Sequence, residues 1–270
     1  MFYAMAENKI DLRGYRFEHR LEDIQTLNER ATRGELHISA ISIHAYAYVS
    51  DRYALLSCGA SMGDGYGPML VAVNATGLDA AASDDQIRAW LRGRTVAIPG
   101  KMTSAYLALQ LFLGDFNHVV VPFDQIFEFV KSGRADVGLI IHEGQLTYAQ
   151  SGFTKVLDLG SWWMRETGLP LPLGGNVLRK DIAAPIRSDL SQILRESIDY
   201  GLAHRDEAVR HSLPYARDMD AILASKFIGM YVNDYTRDYG ETGRAAIREF
   251  LQRAETAAYL DRAVELEFVD

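Results

Sequence analysis

The sequence predicts an α/β protein, and three observations carry that reading. Strand-like and helix-like segments alternate along most of the chain, the pattern of parallel strands joined by helical crossovers. The chain has 270 residues and a mass of 30.2 kDa. Folding at that mass buries roughly 73% of the surface an extended chain exposes, which supports one large core or two modest ones. Hydrophobic residues are 48% and charged residues 24% of the sequence, ordinary values that exclude wholesale disorder.

The elements follow in order. Tyr15 to Leu21 alternates apolar and polar residues and reads as a strand. Asp23 precedes a helix with Ile24, Leu27 and Ala31 on one face, closed by Gly34. Leu36 to Ile41 reads as a short buried strand, and Ile43 to Val49 as a helix starting just after Ser42. Ala54 to Ser57 and Met69 to Val73 are strands flanking a glycine-rich loop, and the small polar stretch Thr76 to Asp85 marks a boundary. Thr95 to Pro99 is a strand and Thr103 to Leu113 a helix. Next come a strand at His118 to Pro122, a helix at Asp124 to Ser132 capped by Asp124, and a strand at Asp136 to Ile141. Lys155 to Leu159 is a strand, Ser161 caps a short helix, and Leu169-Pro-Leu-Pro-Leu-Gly-Gly175 reads as a stiff connection that then softens. The remainder is helical over Leu190 to Ser212, Met219 to Val232 and Arg244 to Tyr259.

Charge and cysteine content narrow the function. A formal net charge of −8 argues against a phosphate backbone as ligand, so nucleic acid drops out as a partner. The single cysteine, Cys58, excludes an intramolecular disulfide and any multi-cysteine metal site; it sits in an apolar strand and reads as core. No window approaches the roughly 18 apolar residues of a membrane helix. The segment Met1-Phe-Tyr-Ala-Met lacks the pattern of an export signal, so the expected setting is cytoplasmic, with no membrane partner.

Most motifs dissolve on inspection. Gly63-Asp-Gly-Tyr-Gly-Pro68 has the wrong spacing for a dinucleotide fingerprint and is followed by a strand, so it reads as a flexible connection or hinge. His142-Glu143 has no second histidine four residues on, and no metal is expected. A serine-nucleophile elbow is absent. Trp162-Trp163 and Tyr46/Tyr48 read as packing.

Two signals remain. Gly100-Lys-Met-Thr-Ser104 lies between a strand and a helix, where free backbone N–H groups, the helix dipole and two hydroxyls suit a carboxylate or phosphate. Ser42 stands in the same relation to the helix after it. Taken by themselves, these positions are better explained by plain N-capping. The second signal is His142, which ends the apolar strand Val137-Gly-Leu-Ile-Ile141. Ligands of parallel sheets bind outside the carboxyl ends of strands, and a histidine there titrates near neutrality and suits a general base. A structural histidine bonding a nearby carbonyl is an equal reading.

Four segments carry a resemblance: Leu21-Glu-Asp-Ile-Gln-Thr-Leu-Asn28, Val96-Ala-Ile-Pro-Gly-Lys-Met-Thr-Ser-Ala-Tyr106, Gly138-Leu-Ile-Ile-His-Glu-Gly-Gln-Leu-Thr-Tyr148 and Leu169-Pro-Leu-Pro-Leu-Gly-Gly175. Together they resemble the 1,4-dihydroxy-6-naphthoate synthases of the futalosine route to menaquinone. The resemblance is collinear over nearly the whole chain. It implies the two-lobed, type II fold of periplasmic solute-binding proteins, with the ligand in the cleft between lobes. It also implies a carbon–carbon lyase that opens cyclic dehypoxanthine futalosine and releases a small sugar-derived fragment, without a cofactor. His142 matches the family's proton acceptor. Ala40, Ile41 and Ser42 match one substrate-contacting segment, and Thr103 and Ser104 the other. The substrate is a small-molecule carboxylate, which the N-terminus at Thr103-Ser104 suits through charge-assisted hydrogen bonds. Lobe closure would exclude water and bring His142 to the proton it removes.

The resemblance sets further expectations. Family members open with a strand and a Ser-Pro-x-Pro-(Asp/Asn)-Asp loop before a Phe-Tyr-Ala-like helix, and Met1-Phe-Tyr-Ala4 aligns inside that helix. The expected chain is therefore N-terminally truncated relative to the family, poorly soluble and inactive, with a frayed opening helix. One lobe is expected from residues 1–75 and 178–270 and the other from 76–177. The alternatives are a non-catalytic solute-binding protein of a transporter and a chorismate dehydratase-like enzyme; the His142 segment argues for the naphthoate synthases.

Overall fold

Local capping chemistry sets several of the helix starts. The computed structural model describes residues 1–79, 81–141, 143–215 and 221–270. It opens with α1 (Tyr3–Ala6) and α2 (Ile24–Thr32), where the Asp23 carboxylate accepts from Gln25 N and Thr26 N. β1 (Ile38–Ser42), α3 (Ile43–Tyr46), β2 (Tyr53–Leu56), β3 (Ser61–Gly63) and β4 (Met69–Ala72) follow. A capping box of Ser83 and Gln86 starts α4 (Asp84–Leu91). Then come β5 (Val96–Ile98), α5 (Ser104–Leu113), β6 (His118–Val120), α6 (Ile126–Lys131), β7 (Val137–Ile140), α7 (Gly144–Thr147) and β8 (Thr154–Asp158). Asp124 is no cap; it sits inside a 3₁₀ turn, Phe123–Gln125, that leads into α6. Likewise α8 (Leu159–Thr167) is capped by Asp158, whose carboxylate accepts from Gly160 N and Ser161 N, and not by Ser161. The chain closes with β9 (Leu171–Arg179), α9 (Ala184–Ala203), α10 (Arg205–Ser212), α11 (Ala221–Tyr231), α12 (Asp234–Arg237), α13 (Gly240–Thr256) and β10 (Phe268–Val269). The expected single helix Leu190–Ser212 is thus two, and residues 219 and 220 of the expected Met219–Val232 helix lie outside the described residues.

The chain separates into two compact units. One comprises Met1–Met62, Pro172–Arg248 and Val264–Asp270; the other comprises Gly63–Leu171 and Glu249–Ala263. The switches therefore fall at 62/63, 171/172, 248/249 and 263/264; the first two come earlier than the 75/76 and 177/178 expected, and the last two take residues 249–263 out of the expected first lobe. The strands explain the shift. β4 is hydrogen-bonded to β7 and β8 of the second unit, and β9 pairs with β1 and β2 of the first.

The first unit's sheet runs β1-β9-β2-β10, with β3 also on β9. Here the expectation of parallel strands fails: β9 lies antiparallel between β1 and β2, while β10 is parallel to its neighbour β2. The segment expected to be a connection, Leu169–Gly175, is mostly strand. Leu56, Cys58, Leu178, Ile193, Leu194 and Ile198 form the core between this sheet and α9. The opening helix is not frayed. Tyr3, Ala4 and Met5 are buried, and Ser197 Oγ on α9 donates to Met1 O at 2.8 Å and accepts from Met5 N at 3.4 Å. Tyr15 to Leu21 is not a strand. Tyr15 and Phe17 still pack on the core, but no described strand is hydrogen-bonded to the segment, and Leu21 is 77% exposed.

The second unit's sheet runs β6-β5-β7-β4-β8. β5 is parallel to both β6 and β7, whereas β4 is antiparallel to β7 and β8. Val71, Ala97, Ile126, Val130, Ile140 and Phe153 anchor its core. Trp163 is fully buried and meets Phe250 edge-on with ring centres 5.5 Å apart, so the tandem tryptophans serve packing as expected.

The glycine-rich loop is not a free hinge. Its backbone presses directly on the start of α8, where a Cβ on Gly160 would lie 2.0 Å from Tyr66 O, and Ser161 Oγ donates to Gly65 O at 2.8 Å. Only two glycines, Gly67 and Gly160, let these backbones approach so closely. Gly160→Ala is therefore expected to destabilise the protein by about 2 kcal/mol or more through overpacking against backbone, measured by urea denaturation; Gly93→Ala, whose Cβ meets nothing but whose φ of +78° is strained, should cost less.

Candidate active site

Ala40, Ile41 and Ser42 form the end of β1, facing Asn176, Gly175 and Gly174 of β9. Ile41 and Ser42 are buried and Ala40 is half-buried. Ser42 occupies the N-cap position of α3, yet its hydroxyl makes no capping bond to that helix. It accepts instead from Asn28 Nδ2 at 3.0 Å, while Ser42 N donates to Asn28 Oδ1 at 2.8 Å. Two residues on, His44 is buried, with Nε2 3.2 Å from the Tyr48 hydroxyl.

Thr103 and Ser104 lie in the second unit, both 2% exposed, at the start of α5. Thr103 is a working cap. Its hydroxyl donates to Gly100 O at 2.8 Å and accepts from Tyr106 N at 3.2 Å. That proton is thus committed to a carbonyl.

His142 lies outside the described residues. The strand before it is described: β7 ends at Ile140, and because β7 runs parallel to its neighbour β5, both strands end on one edge of the sheet. The β5 end leads into Thr103 and Ser104. Gln145, 3% exposed on α7, donates from Nε2 to Ile140 O at 3.2 Å and ties α7 to the end of β7.

The chain matches, over residues 1–256, the family described as menaquinone biosynthesis. It belongs to that family. A 1,4-dihydroxy-6-naphthoate synthase of Thermus thermophilus is 37% identical over 255 residues, covering 94% of this chain and 89% of that protein. A protein of the same name from Streptomyces coelicolor is 38% identical over 238 residues, covering 86% and 80%. Among solved structures, a protein from Archaeoglobus fulgidus superposes with a TM-score of 0.87 at 42% identity, covering 96% of this chain and 92% of that one. The alkanesulfonate-binding protein of Xanthomonas axonopodis pv. citri matches with a TM-score of 0.62 at 11% identity, covering 88% and 81%, which shows the fold alone. This menaquinone-biosynthesis protein therefore has the solute-binding-protein fold that the resemblance implied, and like its relatives it belongs to an enzyme family.

Two residues of this family member escaped the sequence reading. Asn28 shares a helix face with Ile24, Leu27 and Ala31 at apolar spacing, and a polar residue at such a position was the available signal. Gln145 lies three residues past His142 on a four-residue helix too short to show a periodicity. Among the described residues no cluster of three His, Cys, Asp or Glu is placed to hold a metal, and no helix is long and apolar enough to cross a membrane.

Two measurements follow. Thr103→Ala should lower stability by about 1 kcal/mol by removing the α5 cap, and Thr103→Ser should restore most of it, as read by chemical denaturation. Cys58 is fully buried, and burial pushes its thiol up to about 11. Iodoacetamide at pH 8 should leave the native protein unlabelled and modify Cys58 only once denaturant unfolds the chain.

Proposed function

We propose that this chain acts as a 1,4-dihydroxy-6-naphthoate synthase, a carbon–carbon lyase that takes cyclic dehypoxanthine futalosine and releases 1,4-dihydroxy-6-naphthoate. The observation that carries the reading is the pair of relatives of that name, 37% and 38% identical over most of this chain. In the proposal, His142 is the general base. Ser42, with Ala40 and Ile41, contacts one part of the substrate. Thr103 and Ser104 hold the substrate carboxylate through the amides at the start of α5. The proposed setting is the cytoplasm, and the proposed partner is this small-molecule carboxylate.

The chemistry suits these side chains. A neutral imidazole accepts a proton near physiological pH, and an unprotonated base is needed to begin breaking a carbon–carbon bond by proton removal. The carboxylate needs donors that stay charge-neutral when the substrate is absent. Backbone N–H groups at a helix start meet that need, because the helix dipole favours an anion without burying a counter-charge.

Purified protein is incubated with cyclic dehypoxanthine futalosine, and naphthoate formation is followed by absorbance and mass spectrometry. Turnover supports the proposal. Tight binding without turnover would point to a non-catalytic solute-binding protein, and dehydration of chorismate to a chorismate dehydratase-like enzyme; either overturns it. His142→Asn is expected to fold like the parent and lose about 10²–10⁴-fold in kcat. Retention of activity within a few-fold would remove His142 from the base role. Replacing Ser104 with Ala should act mainly on KM.

A further inference from the structure

We propose that Asn28 is a positioning residue for this reaction: its carboxamide grips Ser42 at two points and thereby aims the Ser42 hydroxyl proton at the substrate. The inference rests on the reading of Ser42 as a substrate contact and adds the element that makes it a donor.

Asn28 is fully buried on α2, and Ser42 is 3% exposed at the end of β1. Asn28 Nδ2 donates to Ser42 Oγ at 3.0 Å, and Asn28 Oδ1 accepts from Ser42 N at 2.8 Å. A serine hydroxyl has one proton and two lone pairs. With the amide N–H on one lone pair, that proton cannot point back at Asn28 and is turned to another acceptor. Ser42 also stands where a serine ordinarily accepts from the amides of the following helix, and here it makes no such bond. The two-point grip therefore overrides local capping and sets both the rotamer and the polarity of the hydroxyl.

Residue type matters as much as place. An aspartate would accept from Ser42 N equally well, but it would also accept the hydroxyl proton and withdraw it from the substrate. Asparagine is the isostere that donates and carries no charge. A purely architectural staple between α2 and β1 would need the two hydrogen bonds but would be indifferent to which way the hydroxyl proton points.

The test is a double-mutant cycle on the full chain, with steady-state kinetics on cyclic dehypoxanthine futalosine and thermal unfolding of each variant. Ser42→Ala is expected to raise KM. Asn28→Asp should raise KM about tenfold or more, the worth of a hydrogen bond to a charged group. In the Ser42→Ala background the same Asn28→Asp change should alter KM by no more than about twofold, because there is no hydroxyl left to aim. Lowering the pH until the introduced carboxyl is protonated makes it a donor again. The KM ratio of Asn28→Asp to wild type at matched pH should then fall toward one. A structural role would show the same loss at every pH and in both backgrounds.

Three results would overturn the proposal. Asn28→Asp that folds and keeps the wild-type KM, while Ser42→Ala raises it, removes the positioning role and leaves Ser42 as a contact. An equal KM increase in both backgrounds makes the effect one of charge or packing. An unchanged KM in Ser42→Ala removes the substrate contact itself, and the positioning role with it. Should Asn28→Asp fail to fold, protein labelled with ¹⁵N-asparagine supplies a second reading. The carboxamide signal that moves in Ser42→Ala identifies Asn28, and it should also shift when substrate saturates the wild type; no shift overturns the proposal.

Discussion

The first unit depends on one pairing, the antiparallel insertion of β9 between β1 and β2. Without it those two strands would not be joined, since neither is hydrogen-bonded to the other. The register also fixes the chemistry: it sets Ser42 against Gly174 and Ala40 against Asn176. The glycines of β9 are steric requirements of that arrangement. A Cβ on Gly174 would lie 3.0 Å from Ile41 O, and one on Gly175 would lie 2.4 Å from the Tyr239 hydroxyl. The Leu-Pro-Leu-Gly-Gly run is thus a strand that starts with packing residues and narrows to bare backbone where β1 and Tyr239 crowd it. That taper is why it looks like a stiff linker when read as composition alone.

Legibility followed how local the cause was. Asp23 and Thr103 announce their helices because a cap and its amides lie within three residues of each other. By contrast α4, capped by Ser83, was not expected, because its start lies in the small polar stretch that reads as a boundary. β5, β6 and β7 are readable as apolar runs between turns, and their parallel order follows from the helices between them. What escaped is what distant residues decide. Tyr15 to Leu21 has a strand's alternation and no hydrogen-bonded partner strand, so periodicity alone cannot make it one. The glycine-rich loop looks mobile until Gly160, nearly a hundred residues on, is seen to need those glycines for close packing. Asn28 looks like an ordinary helix residue until β1 brings Ser42 against it. The candidate site was legible in its hydroxyl residues and illegible in what orients them.

Ser42 and Thr103 show how different two similar sequence signals become. Both stand between a strand and a helix, and both are buried. Thr103 spends its hydroxyl on the local turn, accepting from Tyr106 N and donating to Gly100 O. Its contribution is to hold α5 so that backbone amides point outward. Ser42 is relieved of capping by Asn28 and keeps a side-chain donor for use elsewhere. In the proposed site, one position would therefore offer backbone dipoles and the other an aimed hydroxyl.

The net charge of −8 sharpens the point. On the proposed reading, an acidic protein taking an acidic substrate works against its own long-range field, but that field fades over the Debye length of about 8–10 Å. Short-range donors therefore decide whether an anion is held. Neither segment carries an acidic side chain: the turn Gly100 to Ser104 has only the exposed Lys101 as a charge, and the Ser42 grip is made by a neutral amide. Neutral donors can be buried with their hydrogen bonds satisfied, as Asn28 is, whereas an arginine buried there would carry a desolvation cost whenever the anion is absent. On the proposed reading, holding the anion with amides and hydroxyls would let these segments keep their hydrogen bonds satisfied with and without it.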